Sequence, residues 1–480
     1  MKCIPFVVIA SAILSLSAGT AADENRTAEP PPNIVLLLAD DLGWTGLRCF
    51  GSDLYETPNL DALADRGVRF TDAYSACTVC SPTRASIMTG KSPARLHLTD
   101  FIPGQADPFA KLKIPDWNKR LDPEETTIAE VLRQAGYRTG HVGKWHLNGR
   151  GDQAAGTNPM DQGFDFTFAA PNGRRKGYLL DRPSEGESKS NYLTDALTDK
   201  ACEFIDQSKT QPFMLYFAYN VPHTPIQGRG DLVDYFKQKV RPDAVHRNPE
   251  YAAMVGSLDE SVGRIVAELD EHDLTDRTVM IFISDNGGLT QRHGVHDGFT
   301  ENLPLRRGKG SAYEGGVRVP AIITWPGVVR PGRQCDEPII TTDLFPTIAE
   351  VAGGIVDVKS LDGRSLVPLL KDDSVSLDRD LFWHYPHYHA GGDSPYSAIR
   401  SENFRLIKFY EDQSVRLYDL SNDIGEQKDL SQSMPDRTRR LRDRLERWLV
   451  SVDAQMPESN PDFDPERLTG SEKKKRAGAR

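Results

Sequence analysis

The 480-residue sequence offers little that could enter a membrane, because its only long apolar run stands at the N-terminus. That run covers about 14 residues, whereas a membrane-spanning helix needs roughly 20. It follows Lys2, ends near Leu16 and leads through small residues to Ala21 and Ala22. This arrangement is typical of a signal peptide over residues 1–22. We therefore expect an exported protein, periplasmic or secreted, with no membrane span in the mature chain.

Cysteine is scarce, with six residues in the whole chain, and Cys3 falls within the predicted leader. The mature chain keeps an odd number, namely Cys49, Cys77, Cys80, Cys202 and Cys335. A disulfide framework is not expected at this length, and the pairing of the four cysteines other than Cys80 stays open. Cys77 and Cys80 have the spacing of a redox or zinc pair, but no second pair or neighbouring histidine completes a zinc site.

Basic residues are outnumbered, 58 against 69 acidic ones, which gives a formal net charge of −11. Such a balance argues against binding to nucleic acid, which depends on basic surfaces. Residues 23–32 are polar and proline-rich, and they are interpreted as a linker. Residues 466–480 form a basic tail almost without large apolar side chains, which predicts disorder.

Short apolar runs alternate with helical periodicity over most of the chain. Strands buried on both faces are predicted at Asn33–Leu38, Arg138–Val142, Pro212–Ala218 and Thr278–Ser284. Between the last two, a long amphipathic helix is predicted from the spacing of Met254, Leu258, Val262, Ile265 and Leu269. This alternation predicts an α/β fold with a large mixed, mostly parallel sheet sandwiched by helices.

The pattern changes after about Ser360, where short strands joined by turns precede a helix near Met434–Val450. We interpret residues 33–375 as a catalytic domain and residues 376–465 as a smaller C-terminal α+β subdomain with an antiparallel sheet.

Polar residues stand directly beyond the predicted strands. Asp40 and Asp41 follow the first strand, and Asp285 and Asn286 follow the strand that ends at Ser284. The carboxyl ends of parallel strands are where ligands bind in such sheets. Three carboxylates and one amide oxygen suit calcium or magnesium better than zinc. We expect one hard divalent cation here, and the residues alone leave calcium or magnesium open.

The most specific motif is Cys80-Ser81-Pro82-Thr83-Arg84, followed by Ala-Ser-Ile-Met-Thr-Gly. Ser81 as the capping residue and Pro82 as the first helical residue predict a helix start, which would place Cys80 at the positive end of a helix dipole. The motif resembles the C-x-P-x-R signature of the type I, formylglycine-dependent sulfatases. The resemblance extends over nearly the whole mature chain and includes bacterial carbohydrate sulfatases and N-acetylgalactosamine sulfatases. The N-terminal half of the chain resembles N-acetylgalactosamine and galactose sulfatases.

The resemblance implies an alkaline-phosphatase-like fold and a maturation enzyme that oxidises Cys80 to formylglycine, whose hydrate attacks sulfur. It gives Arg84 the role of stabilising this residue and the metal ligands. The segment that contains Lys144 and His146 resembles the family's GKWH motif, so Lys144 is implied to bind sulfate and His146 to act as a base. His223 and Lys309 are implied to serve the leaving group, with Lys309 also on the sulfate. The family mostly uses calcium, so the resemblance implies one calcium ion at Asp40, Asp41, Asp285 and Asn286, and Cys80, once oxidised, joins its ligands.

Two regions are candidates for sugar binding. His384 and His387 lie in a ring-rich segment, and Arg174 and Arg175 are basic residues suited to further anionic groups. The leading hypothesis is an exo-acting sulfatase on a galactose or N-acetylgalactosamine type of sugar in a sulfated polysaccharide. An arylsulfatase, a phosphodiesterase or phosphonate hydrolase of the same superfamily, and a non-catalytic sugar-binding relative remain alternatives. The sugar, the sulfate position and the oligomeric state are left open.

Overall fold

The computed structural model describes residues 30–105, 107–151, 154–169, 177–180, 186, 188–290, 299–390 and 392–468. The predicted leader, most of the linker, the last twelve residues of the tail, and Arg174 and Arg175 lie outside the described residues. Within the described part, no helix combines the length and apolar character that crossing a bilayer requires.

The described strands are β1 Asn33–Ala39, β2 Val68–Phe70, β3 Ala73–Tyr74, β4 Leu112–Lys113, β5 Arg138–Gly143, β6 Phe166–Ala169, β7 Phe213–Ala218, β8 Thr278–Ser284, β9 Ala321–Thr324, β10 Arg333–Cys335, β11 Ile339–Ile340, β12 Leu381–Tyr385, β13 Tyr396–Ser401, β14 Phe404–Phe409, β15 Val415–Asp419 and β16 Glu458–Ser459. The described α-helices are α1 Pro58–Arg66, α2 Cys80–Thr89, α3 Pro93–Leu96, α4 Ile128–Gln134, α5 Leu193–Ser208, α6 Gly230–Lys237, α7 Pro249–Glu271, α8 Glu314–Val317, α9 Leu344–Ala352, α10 Val367–Lys371 and α11 Pro435–Ser451. Short 3₁₀ segments lie at Arg48–Phe50, Pro159–Gln162, Thr275–Arg277, Thr341–Asp343 and Val358–Ser360.

Eight of these strands form one large sheet in the order β10-β2-β9-β8-β1-β7-β5-β6. From β8 to β6 neighbouring strands are parallel, whereas β9 runs antiparallel to both β8 and β2. The predicted mixed, mostly parallel sheet is therefore confirmed. Because β1 lies between β7 and β8, the residues that follow these strands meet at one edge of the sheet.

Helices cover both faces of the sheet, as the continuous burial of β1 requires. Ile34, Leu36 and Leu38 face a core that includes residues of α2, α4 and α9. Val35 and Leu37 face a second core built with α1, α5, α6 and α7. Alternate residues of a strand point to opposite faces, so each face of β1 is buried by a different helical layer.

The C-terminal part contains the antiparallel sheet β12-β13-β14-β15. One face packs on α11, and the other packs through Trp383 and Tyr396 against Tyr74 and Tyr313 of the large domain. The predicted smaller α+β part with an antiparallel sheet is confirmed. Residues from Pro31 onward form one compact unit, and the boundary between residues 375 and 376 stays a prediction.

Candidate active site

Helix α2 begins at Cys80 itself, with Val79 in the N-cap position and no side-chain cap. The expectation that Ser81 caps this helix is therefore wrong. Its hydroxyl instead accepts a hydrogen bond from the backbone N–H of Ile102, at 3.1 Å. Cys80 still lies at the positive end of the helix, where backbone N–H groups favour an anion.

The imidazole of His146 faces Cys80. Its Nδ1 lies 3.3 Å from Cys80 Sγ, and its Nε2 lies 2.6 Å from the carbonyl oxygen of Ile102. A carbonyl only accepts, so Nε2 carries the proton and Nδ1 keeps a lone pair toward residue 80. Burial, together with the charge of Lys144, holds the pKa of His146 well below its usual value. The ring is therefore a neutral base aimed at residue 80.

The two strand ends bring the predicted metal ligands together. The backbone N–H of Asp41 donates to Asp285 Oδ1 at 3.1 Å, and the amide of Asn286 donates to Asp41 Oδ1 at 2.8 Å. All four side chains, including Asp40, are buried. Parallel neighbours β1 and β8 hold them side by side, so the structure places four oxygen-bearing side chains in one cluster.

Three cations surround these acids. Lys144 Nζ lies 2.8 Å from both oxygens of Asp40, and Lys309 Nζ lies 2.6 and 2.9 Å from those of Asp41. Arg84 donates through Nε and Nη2 to Asp285 at 3.0 and 2.7 Å. Burial by itself would raise the pKa of Asp41, but the charges of the nearby cations, Lys309 foremost, together outweigh it, and the pKa is lowered. The balance at Asp40 is the same, with Lys144 as the main cation, so both carboxylates are ionised near neutral pH.

The donor set fits a hard cation. The side-chain oxygen of Asn286 is buried and has no hydrogen-bond partner among the described residues. An orphaned buried oxygen is costly unless something binds it. Ligand atoms of Asp40, Asp41 and His223 also lie within 4.8 Å of one another. Carboxylate and amide oxygens of this kind suit calcium or magnesium.

His223 is the most accessible ionisable member of the group, with a side chain 32% exposed. Its Nδ1 lies 2.7 Å from the carbonyl oxygen of Thr224 and therefore donates to it. Nε2 lies 3.6 Å from Asp41 Oδ2. Nε2 therefore faces the active site, and in a doubly protonated ring it is the nitrogen whose N–H points there, which is the position that a proton donor needs.

A cleft of about 990 Å³ opens over these residues. Its wall includes Asp40, Lys144, His146 and His223, together with residues that the sequence analysis did not single out: Ile102, Asn148, Arg150, Asn158, Tyr178 and Asn220. Arg150 is exposed on the wall and has no ion-pair partner among the described residues. Asn148 and Arg150 directly follow the GKWH segment, and this proximity could have predicted that they lie near the active site.

The predicted sugar-binding histidines lie elsewhere. His384 is buried, and its two ring nitrogens contact Ser397 Oγ at 2.7 Å and the Gln455 carbonyl at 2.8 Å. His387 is 1% exposed, and its Nε2 contacts Thr99 Oγ1 at 2.8 Å. The structure does not bring either ring to the wall of the cleft, so a sugar has no access to them in this packing. Arg174 and Arg175 lie outside the described residues.

Comparisons with known proteins agree with the resemblance to the sulfatases. The sulfatase family profile matches residues 32–355, and the profile for the C-terminal part of N-sulphoglucosamine sulphohydrolase matches residues 308–455. A sulfatase of Formosa agariphila is 32% identical over 94% of both chains. Human arylsulfatase A is 35% identical over 79% of this chain and 74% of its own length.

Among solved structures, that of Ps i-CgsB in complex with k-i-k-neocarrahexaose superposes with a TM-score of 0.72 at 28% identity. The match covers 94% of this chain and 98% of that one. The family profile spans more than half of the chain, and the two relatives exceed 30% identity over most of it. The chain belongs to the sulfatase family and is a sulfuric ester hydrolase.

Proposed function

We propose that this protein removes sulfate from a sulfated carbohydrate, with a formylglycine hydrate derived from Cys80 as nucleophile and one calcium ion. Asp40, Asp41, Asp285 and Asn286 would hold the ion. The main support for this proposal is that the neutral imidazole of His146 faces residue 80 next to these four oxygen-bearing side chains. Burial also raises the pKa of the Cys80 thiol, which argues against an ordinary thiolate nucleophile at this position.

In this proposal, some residues act on the nucleophile side of the sulfur atom and others on the leaving-group side. The formylglycine hydrate supplies an oxygen nucleophile, and a bound calcium ion supplies a Lewis acid that orients sulfate. His146 accepts a proton at Nδ1 on the nucleophile side. Lys144 and Lys309, which pair with Asp40 and Asp41 in the structure, would bind sulfate oxygens when a cation also bound to these carboxylates balances their charge. Arg84 fixes Asp285, and it also donates to the Lys144 carbonyl at 2.8 Å.

On the leaving-group side, His223 donates a proton from Nε2 to the departing oxygen. The Thr224 carbonyl occupies its other ring nitrogen and fixes the direction of donation. The ring is partly exposed, so solvent can return the proton after each turnover. This assignment suits a poor leaving group such as a sugar hydroxyl.

The cleft supports a carbohydrate substrate. Asn148 donates to the Asn158 side chain at 2.9 Å, and this pair together with Arg150 forms a polar wall beside the reaction centre. Amide and guanidinium groups recognise hydroxyl and sulfate groups. The structural relative was solved with k-i-k-neocarrahexaose. We propose exo action on a galactose or N-acetylgalactosamine type of sugar by a periplasmic or secreted enzyme.

An arylsulfatase is the second candidate, because human arylsulfatase A is 35% identical to this chain. The two functions differ in the preferred alcohol. A panel of sulfated mono- and disaccharides, measured beside nitrophenyl sulfate, separates them by kcat/KM. Preference for the aryl ester over every sugar sulfate would favour the arylsulfatase.

Peptide mass spectrometry tests the nucleophile. In protein from a host that has the maturation enzyme, we expect the peptide with residue 80 to carry formylglycine. The same preparation should hydrolyse a sulfate ester. Unmodified Cys80 in fully active enzyme would contradict the mechanism, and unmodified Cys80 in inactive protein that still binds sugar would favour the non-catalytic alternative.

Calcium should also stabilise the fold. At about 100 times the dissociation constant, a ligand that binds only the folded state adds roughly 2.7 kcal/mol, which raises Tm on the order of 3 °C for a chain of this size. We expect Asn286→Ala to lose most of this shift, because it removes a ligand oxygen. Differential scanning calorimetry with calcium and with chelator measures it.

Asn33→Ala is the matched control, because Asn33 is also buried but lies at the start of β1, whereas the four predicted ligands follow the ends of β1 and β8. It should lower Tm and keep the calcium shift. Zinc bound in stoichiometric amount, or full activity in chelator, would refute the calcium site.

A further inference from the structure

The lysine that pairs with Asp41 lies in residues 306–314, a segment that leads into the first residue of α8 and is called here the Lys309 loop. On one side the large domain holds its main chain. The N–H of Lys309 donates to the Gly288 carbonyl at 3.1 Å, and the N–H of Gly310 donates to the Thr78 carbonyl at 3.0 Å. These two bonds fix the centre of the loop. The large domain also contacts its flanks, because Asn302 Nδ2 donates to the Arg307 carbonyl at 2.9 Å and Thr78 Oγ1 donates to the Ser311 carbonyl at 3.0 Å.

One carboxylate of the C-terminal part spans both flanks. Asp393 accepts from Arg307 Nη1 at 2.7 Å and from the backbone N–H of Ala312 at 3.0 Å. These partners lie two residues before and three residues after Lys309. The side chain of Asp393 is 12% exposed. A single, mostly buried group thus closes the loop that carries Lys309.

Further groups of the C-terminal part hold the same loop. Arg405 donates to the Ala312 carbonyl at 2.8 Å, and Tyr396 donates through its hydroxyl to the Ser311 carbonyl at 3.1 Å. Glu426 accepts from the N–H of Glu314 at 2.7 Å. All three bonds join side chains of the C-terminal part to backbone atoms of the loop, so they fix where the chain runs and not only where side chains point.

The packing next to Lys309 is also close. A Cβ on Gly310 would lie 2.0 Å from His389 Nδ1, and Gly310 has a φ of +81°. A Cβ on Gly392 would lie 1.7 Å from the Gly310 carbonyl oxygen. Residues 389 and 392 therefore press against the backbone beside Lys309, and the loop has no room to shift toward the C-terminal part.

We infer that the C-terminal part acts in the reaction by positioning Lys309, with Asp393 as the principal positioning residue. The inference rests on the proposed function, in which Lys309 contacts the sulfate and the leaving oxygen. A displaced loop moves the ammonium group away from Asp41 and the sulfate. Errors of about 1 Å in such positions can cost about 100-fold in rate.

A double-mutant cycle between Asp393→Asn and Lys309→Met tests this. Asp393→Asn keeps the shape of the side chain but replaces one acceptor oxygen with an amide donor. We expect it to lower kcat/KM for a sugar sulfate by about 10- to 100-fold. In the Lys309→Met background the same substitution should cost less than about 3-fold, because residues that act through one another are not additive. Additive losses would overturn the inference.

Asp343→Asn is the matched control. Asp343 is a buried carboxylate that also accepts from an arginine, Arg379, and from backbone N–H groups at Ile340 and Arg364, but it contacts no residue of the Lys309 loop among the described contacts. It should lower Tm and leave the coupling with Lys309→Met near zero. Coupling as large as that of Asp393 would show a general loss of stability and overturn the inference.

Two further outcomes are decisive. If Asp393→Asn does not fold, Tyr396→Phe enters the same cycle, because it removes only the hydroxyl that donates to Ser311. Additivity in that cycle overturns the inference as well. If Lys309→Met itself keeps full kcat/KM, the role of Lys309 in the proposed function fails, which is a different result from an additive cycle.

Discussion

Replacing Cys80 by alanine is expected to lower kcat on the order of 10⁶-fold, as the loss of an enzyme nucleophile does elsewhere. His146 Nδ1 faces only residue 80 within hydrogen-bond distance, so no other described side chain can take over the attack. The remaining groups, Lys144, Lys309 and the metal ligands, would still bind sulfate without transferring it. Steady-state release of sulfate by the purified variant measures the loss.

The variant should keep its fold. Cys80 contributes one sulfur atom and one hydrogen bond, to His146, while α2 is held by its other buried residues. Cys77→Ala is the matched control, because Cys77 is also buried and lies three residues earlier, outside the signature. It should keep near-normal activity at a stability cost of about 1 kcal/mol. Turnover by Cys80→Ala at more than a trace would contradict the assignment of the nucleophile.

The sequence predicted the large sheet and the ligand cluster because both follow from local patterns. Asn33–Leu38 is a continuous apolar run, which only a strand covered on both faces can bury, and β1 has this setting. Asp40 and Asp285 could be placed together because each follows a strand of one parallel sheet. Neither inference required knowledge of distant side-chain contacts.

The supporting partners could not be predicted in this way. The Ile102 carbonyl that fixes the tautomer of His146 is a backbone group, which has no residue-type signature. Asp393 lies 86 and 81 residues along the chain from its partners Arg307 and Ala312, in a segment without a recognisable motif. Such contacts depend on how the C-terminal sheet docks, and docking is set by long-range packing.

In the ring-rich segment at residues 384–389, the residue types suggested sugar binding but did not predict burial. Histidine and tyrosine are suited to sugar binding, and they are equally suited to a packed strand with satisfied ring nitrogens. In the structure His384 bridges Ser397 and the Gln455 carbonyl, and burial lowers its pKa to about 4. Residue type alone cannot separate these two uses, since burial decides between them.

His223→Ala is expected to lower kcat/KM for a sugar sulfate by about 10²- to 10⁴-fold, the usual cost of losing a general acid. Nitrophenyl sulfate should lose much less, because nitrophenolate is a stable anion that leaves without a proton. The variant should therefore change the ratio of kcat/KM values between the two substrates.

The orientation of the His223 ring explains why the loss should depend on the leaving group. The Thr224 carbonyl takes up Nδ1, so only Nε2 can deliver the proton, and it lies 3.6 Å from Asp41, on the side of the buried carboxylates. His97→Ala is a matched control, since His97 is similarly exposed, at 29%, and contacts Asp453 away from the cleft. It should leave the ratio unchanged. Equal proportional losses on both substrates in His223→Ala would instead assign His223 to sulfate binding or to the metal site, because those roles act before the leaving group matters.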